Sequence, residues 1–245
     1  MRFALMTEPQ QGLTYAELLA IVRTAEDVGF ESFFRSDHIT SFPGESGLPA
    51  SDAWATLAGL ARETSGISLG TLVSPVTFRF PGNLAKVVTT VDEMSGGRVE
   101  LGLGAGWNEE EHRQHGIPFP DLHERYDMLE EQLSIVHGLW TESDGWAFEG
   151  RHWQVSDSMF RPRPVERSGR RHPNLIVGGE GRRRGLSLAV RFADEYNISS
   201  ASPEKAAMVV ASLGEACEKA GRNPDHLVVS AMTGVLIAES EADLN

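Results

Sequence analysis

Two stretches of this chain pair residue types that commonly do chemistry. The first is Asp37-His38, directly after the short run Glu31 to Ser36. A histidine polarises a carbonyl or shuttles a proton near neutral pH, and an adjacent carboxylate can fix its tautomer. Equally, Asp37 is suited to cap the loop that follows while His38 packs. The second is Gly178-Gly179-Glu180-Gly181-Arg182. Free amides at a helix N-terminus together with an arginine favour an anion, so this segment has the makings of a phosphate cradle. It has neither the lysine of a P-loop nor G-x-G-x-x-G spacing, and a tight turn explains it as well.

A third stretch, VELGLGAGWNEEE from Val99 to Glu111, concerns shape more than reactivity. Val99, Leu101 and Leu103 point one way along a strand, and Glu100, Gly102 and Gly104 the other. Glycine weakens a strand, so Gly102, Gly104 and Gly106 at alternate positions predict a close approach to the main chain, either by a planar ligand or by tight packing at the strand end. A long helix is expected next. Glu109, Glu110 and Glu111 carry the charge that a helix N-terminus favours. Glu111, His112 and His115 have helical spacing that suggests a metal, but no further ligand pattern accompanies them, and a solvated helix start accounts for them. Arg161, Arg163, Arg167, Arg170 and Arg171 form a basic strip, suited to steer an anion or simply to line a solvated loop.

These candidates need elements to hold them, and the patterning supplies a regular set. Strands are predicted at Phe3 to Met6, Glu31 to Ser36, Ser68 to Ser74 and from Val99, each alternating with a helix at about 30-residue spacing, which implies βαβ units and a parallel sheet. Thr14 and Glu17 form a capping box for the first helix. Asp52 is placed to cap the second. After the fourth strand the rhythm breaks. Leu122, Tyr126, Leu129, Leu133, Val136 and Trp140 mark the strongest amphipathic helix, and WAFEGRHWQV reads as a hairpin turning at Glu149-Gly150. The sheet resumes at Asn174 to Gly179, Glu195 to Ser199 and Leu227 to Ala238, with a helix opened by Ser202-Pro203 before the last. Ser240 and Asp243 begin to cap a further helix. Residues 107–173 are thus an insertion within one domain spanning 1–245. The pattern is that of an α/β TIM-type (β/α)8 barrel with an insertion after strand 4 and without an eighth strand.

The 245 residues, 40% hydrophobic and 23% charged, suit one barrel-sized domain or two small ones. A net charge of −13 argues against nucleic acid and anionic membranes as partners. No apolar run reaches the length of a membrane-crossing helix, and the single cysteine, Cys217, fits a reducing, cytoplasmic compartment. In a βα-barrel, ligands sit at the C-terminal ends of the strands. Glu8, Asp37, His38, Val73, Ser74, Ala105, Gly106, Trp107, Gly178 and Gly179 are all expected on that rim.

Taken together, LGLGAGWNEEEHRQHGIPFPDLHERYDMLEEQLSIVHGLW is similar to the signature of luciferase-like oxidoreductases, in the branch assigned to coenzyme F-420. Asp37-His38, GTLVSPVTFR, MSGGRVELGLGAGW, FEGRHW, PNLIVGGEGRRR and SPEKAAMVV continue the resemblance along essentially the whole chain. The resemblance implies a TIM-type barrel, a homodimer, a small-molecule substrate, and a deazaflavin (coenzyme F-420) or FMN at the C-terminal ends of the strands. It implies His38 as proton relay at the reactive edge of the ring, supported by Asp37, and a non-proline cis peptide at Leu72-Val73 against the ring's back face. Ala105 and Gly106 would lie beside the ring, and Gly178, Gly179, Gly181 and Arg182 would take the cofactor's phosphate. Glu8 and Trp107 would line the substrate pocket. Sugar-phosphate dehydrogenases of the family have a glutamate where Trp107 stands, so an apolar wall is expected here. Three activities follow: hydride transfer between reduced F-420 and a small organic molecule, FMN-dependent monooxygenation, or flavin binding without turnover. A fourth, an unrelated barrel acting on phosphorylated sugars, is allowed by Asp37-His38 and the glycine turn.

Overall fold

The computed structural model describes residues 2–44, 47–167, 169, 171–235 and 238. In chain order, β1 (Ala4–Thr7), α1 (Tyr15–Asp27), β2 (Ser32–Arg35), α2 (Ala53–Glu63), β3 (Ser68–Pro75), α3 (Pro81–Ser95) and β4 (Val99–Gly104) alternate as expected. The inserted segment carries α4 (Glu109–His115), α5 (Leu122–Thr141), and a hairpin of β5 (Trp146–Glu149) and β6 (Gln154–Ser158). Alternation then resumes with β7 (Asn174–Gly179), α6 (Arg183–Phe192), β8 (Glu195–Ser199), α7 (Pro203–Ala220) and β9 (Val228–Met232). Seven strands form one parallel sheet in the order β1-β2-β3-β4-β7-β8-β9, a TIM-type barrel without an eighth strand among the described residues. No helix of the described residues is long and apolar enough to cross a membrane.

Local chemistry explains most of the boundaries. Thr14 Oγ1 accepts the Glu17 amide while the Glu17 carboxylate accepts the Thr14 amide at 2.8 Å, closing the expected capping box. Asp52, Asp121 and Ser202 each accept an amide in the first turn of the helix they precede. Two expectations need correction. The long helix after Val99–Gly104 is broken: Gly116 caps α4, and Pro118 and Pro120 keep the chain extended until Asp121 opens α5. The last strand stops at Met232 rather than Ala238, because its partner β8 ends there in the Ser199–Met232 pair. The capping expected of Ser240 and Asp243 lies outside the described residues.

The two faces of the sheet are filled differently. Phe33, Leu69, Val99, Leu101, Leu103, Leu175 and Val177 bury their side chains against the surrounding helices. The opposite face, inside the curled sheet, is polar at its N-terminal end. There Asn174 Nδ2 donates to Glu100 at 2.6 Å and to Glu195 at 3.2 Å. Ser32 and Ser230 donate to the same two carboxylates. Those side chains fill the lower barrel, below a cavity at the C-terminal ends of the strands. The hairpin packs outside the sheet. Trp146 covers Gly138 of α5, and Glu131 accepts the amides of Arg151, His152 and Trp153 at 2.7, 2.9 and 3.1 Å.

Candidate active site

At the C-terminal ends of the strands lies a cavity of about 700 Å³. β1 contributes Met6 and the loop residue Glu8, and the turn after β2 contributes His38 and Phe42. β3 supplies Leu72 and Val73, β4 and its loop Gly104 to Trp107, β7 and its loop Gly178, Gly179 and Arg182, and α5 Arg125 and Tyr126. The rim expected from the strand alternation is therefore formed.

The alternating glycines have a specific neighbour. The Leu72-Val73 peptide is cis, and β3 shifts register there between Thr71 and Ser74. Val73 projects onto three bare backbone positions on two other strands. A Cβ at Gly102 would stand 2.9 Å from Val73 Cγ1, one at Gly104 2.8 Å from Cγ2, and one at Gly178 2.8 Å from Cγ1. The close approach predicted for this strand is real, but the group that lies on Gly102 and Gly104 is Val73. Any planar ligand meets Val73, not the bare main chain behind it.

His38 is held by a residue distant in sequence. Its Nδ1 lies 2.9 Å from Glu111 Oε1, and Glu111 Oε2 accepts the Ile39 amide at 3.2 Å. The carboxylate accepts at Nδ1, so the neutral imidazole carries its proton there and its lone pair on Nε2. Phe42 and Trp107 pack edge-on to the His38 ring, with centroids 4.4 and 5.6 Å away. Trp107 is itself 66% exposed and lines the mouth, as an apolar wall would.

Asp37 does not support His38. Its carboxylate is buried behind the cavity wall, paired with Arg79 and accepting from Ser74 Oγ at 2.5 Å. His38 lines the cavity, while Asp37 and Ser74, both expected on its rim, are buried outside the lining. Gly181 also departs from expectation. Its amide donates to Tyr196 Oη at 2.9 Å and is not free for an anion, and Gly181 is absent from the cavity lining. Arg182 is exposed at the mouth beside Glu180 and precedes α6 without a side-chain cap, so the first amides of α6 have no side-chain acceptor. The Glu111, His112 and His115 set comes apart. His112 is buried, donates to the Asn108 carbonyl and accepts from Thr77, while His115 meets Thr40 at 3.2 Å. Glu111 and His112 are therefore not a solvated helix start. Among the described residues, no group of three or more His, Cys, Asp or Glu is arranged to hold a metal. In the basic strip, Arg161 and Arg163 pair with Asp144 and Arg167 with Asp92.

Among the lining residues that escaped the sequence, two bear on the chemistry. Glu111 is one, although three consecutive glutamates turning by about 100° each cannot all face water. Arg125 is the other. It is 7% exposed and stacks on Phe119 at 3.8 Å. It donates to the carbonyls of Ala105 and Pro120, and burial lowers its pKa. No carboxylate pairs with it among the described residues. Its position three residues after Leu122, on the face of the apolar ladder, was the available signal. A buried cation at a cavity wall, balanced only at longer range by Asp121 and Glu109, suits an anionic group on a ligand.

A parallel barrel with a deep cavity at the C-terminal rim defines a class of ligand-binding βα-barrel. The comparisons refine it. The chain matches the luciferase-like monooxygenase family along residues 1–245 and belongs to that family. It is 32% identical over 216 residues to an F420-dependent glucose-6-phosphate dehydrogenase of Nakamurella multipartita, covering 86% of this chain and 61% of that protein. It is 30% identical over 239 residues to the pyrimidine monooxygenase RutA of Pseudomonas savastanoi, covering 94% of this chain and 63% of that one. It therefore spans about three fifths of the length of these relatives. Among solved structures, an F420-dependent secondary alcohol dehydrogenase in complex with an F420-acetone adduct superposes with a TM-score of 0.82 at 22% identity, covering 94% of this chain and 68% of that one. The EDTA monooxygenase of Chelativorans sp. BNC1 gives 0.81 at 21%, covering 99% and 67%. These two share the fold.

Proposed function

We propose that this chain is the barrel of an oxidoreductase that binds a deazaflavin of the F-420 type and moves hydride between it and a small organic substrate. The observation that carries the reading is the His38–Glu111 pair at the wall of a cavity whose floor is Val73. The residues present fit such a cofactor. Val73 and Leu72 offer an apolar seat for a flat ring, with Ala105 and Gly106 beside it. The buried Arg125 guanidinium and the uncapped start of α6, with Gly178, Gly179 and Arg182, suit its acidic tail. When bound, the cofactor supplies the two-electron chemistry of hydride transfer. The protein supplies position and the proton. Glu111 holds Nδ1–H of His38 and leaves Nε2 to take a proton from a substrate hydroxyl or return it to a carbonyl. Phe42, Trp107 and Glu8 flank the substrate's side of the cavity.

The monooxygenases among the relatives favour a second reading, in which the same seat holds FMN. Titrating the purified chain with F-420 and with FMN, followed by cofactor fluorescence, separates the two. Preference for F-420 supports the hydride-transfer reading, preference for FMN the second, and binding of neither removes both.

A further inference from the structure

Behind the cavity wall, out of contact with the space it encloses, lies a second set of charged groups that the proposed chemistry does not use. The Asp37 carboxylate is 1% exposed and accepts from two sides. Ser74 Oγ donates to its Oδ2 at 2.5 Å, and both terminal nitrogens of Arg79 donate to it, one reaching Oδ1 at 3.2 Å. The same guanidinium donates to Asp52 Oδ2 at 2.6 Å, while the other oxygen of Asp52 caps α2 through the Ala55 amide at 2.8 Å. Ser74 Oγ in turn accepts the indole N–H of Trp54, on α2, at 3.2 Å. The backbone of Arg79 is tied as well: its carbonyl accepts Gln132 Nε2, from the buried side of α5, at 2.8 Å.

Sequence adjacency gives this arrangement its meaning. Asp37 immediately precedes His38, and Ser74 immediately follows Val73. His38 and Val73 line the cavity while Asp37 and Ser74 are buried outside its lining, so a bond made behind the wall restrains the backbone that carries the side chain in front of it. The Ser74–Asp37 bond therefore joins the backbone that aims His38 to the backbone that aims Val73. Arg79 closes that joint with a bidentate contact, which sets angle as well as distance, and anchors it to α2. We propose that Arg79 is a positioning residue, clamping Asp37 so that His38 and Val73 keep one fixed separation across the cavity. This rests on the oxidoreductase reading for its functional meaning, but the clamp itself is a property of the protein without ligand.

The test uses the whole chain with ring-labelled histidine and methyl-labelled valine, read by NMR in the absence of cofactor. Arg79→Gln should move the His38 ring signals and the Val73 methyl signals together. Arg79→Lys, which keeps the charge but cannot bridge two carboxylates in the same plane, should melt closer to the parent protein and still move both. Ser74→Ala, which removes only the link to β3, should move Val73 more than His38. Arg98→Gln is the control: Arg98 donates to the carbonyls of Ala61, Thr64, Ser95 and Ile67 at the other end of the strands, so its loss should lower the melting temperature without moving either signal. F-420 or FMN, whichever the parent protein binds, should bind Arg79→Lys about 10-fold more weakly. The clamp is overturned if His38 and Val73 stay in place in Arg79→Lys, or if Arg98→Gln moves them as far. Absence of binding by the parent protein would overturn the oxidoreductase reading alone, and the NMR comparison would still decide the clamp.

Discussion

The ring of His38 is held by a carboxylate 73 positions away, while its neighbour Asp37 fixes only the backbone that carries it. This separates two roles that the sequence merges in Asp37-His38. His38→Ala removes the proton carrier and is expected to lower kcat by about 10²- to 10⁴-fold with cofactor affinity little changed, measured by steady-state kinetics beside a binding titration. Glu111→Gln keeps the shape and removes the charge that Nδ1–H faces, so it should lower kcat less than His38→Ala. A second prediction concerns Glu195, inside the lower barrel. Burial, the largest cause, pushes its carboxyl above the ordinary carboxylate range, and Glu100 nearby adds to it. A folded pKa above the unfolded one means that the protonated form stabilises the fold. That stability is fully present below the unfolded value of about 4.3 and is lost as pH rises through the folded one. Glu195→Gln, permanently neutral, should therefore gain on the parent protein as pH rises from about 4 to 8, read as urea midpoints. Residue identity was legible at His38, Val73 and Trp107. Glu111 and Arg125 were not, because what matters in both is the partner across the fold, or its absence.

At the scale of elements, the central event is the register shift in β3 that lays Val73 over β4 and β7. Gly178→Ala is expected to destabilise by about 1–3 kcal/mol, since its Cβ would strike Val73 Cγ1 at 2.8 Å and nothing else within 3.4 Å. Val73→Ala should recover much of that cost, giving a strong coupling in a double-mutant cycle of melting curves. Gly102→Ala should not be recovered, because its Cβ would also meet the Thr71 carbonyl oxygen at 2.3 Å, and a backbone atom cannot be trimmed away. Strand and helix order was readable because burial on both sides of a parallel sheet leaves apolar runs separated by amphipathic helices. The shift in β3 was not readable from patterning, since it changes which residue faces inward without changing the composition of the strand.

For the molecule as a whole, the curled sheet sorts its interior into a hydrogen-bonded lower layer and an open upper one. A ligand that fits the upper layer binds only the folded chain. At 100 times its Kd the matching cofactor should add about 2.7 kcal/mol of stability, visible as a rise in melting temperature that grows with the logarithm of concentration. An equal concentration of the other cofactor should give a smaller rise. The barrel plan was legible as a rhythm of about 30 residues, and the inserted hairpin as a break in it. The segregation of polar from empty space along the barrel axis was not, because it depends on which inward positions of separate strands fall at the same height.

Val73 touches what would be three Cβ positions on two neighbouring strands. Side-chain bulk at that spot is thus one shared quantity, divided among positions 73, 104 and 178, while the Thr71 carbonyl bars any side chain at 102. Enlarging any one of the three must shrink another or lift the floor of the cavity. Variation at these three sites should be correlated, with the depth of the cavity as the property held constant.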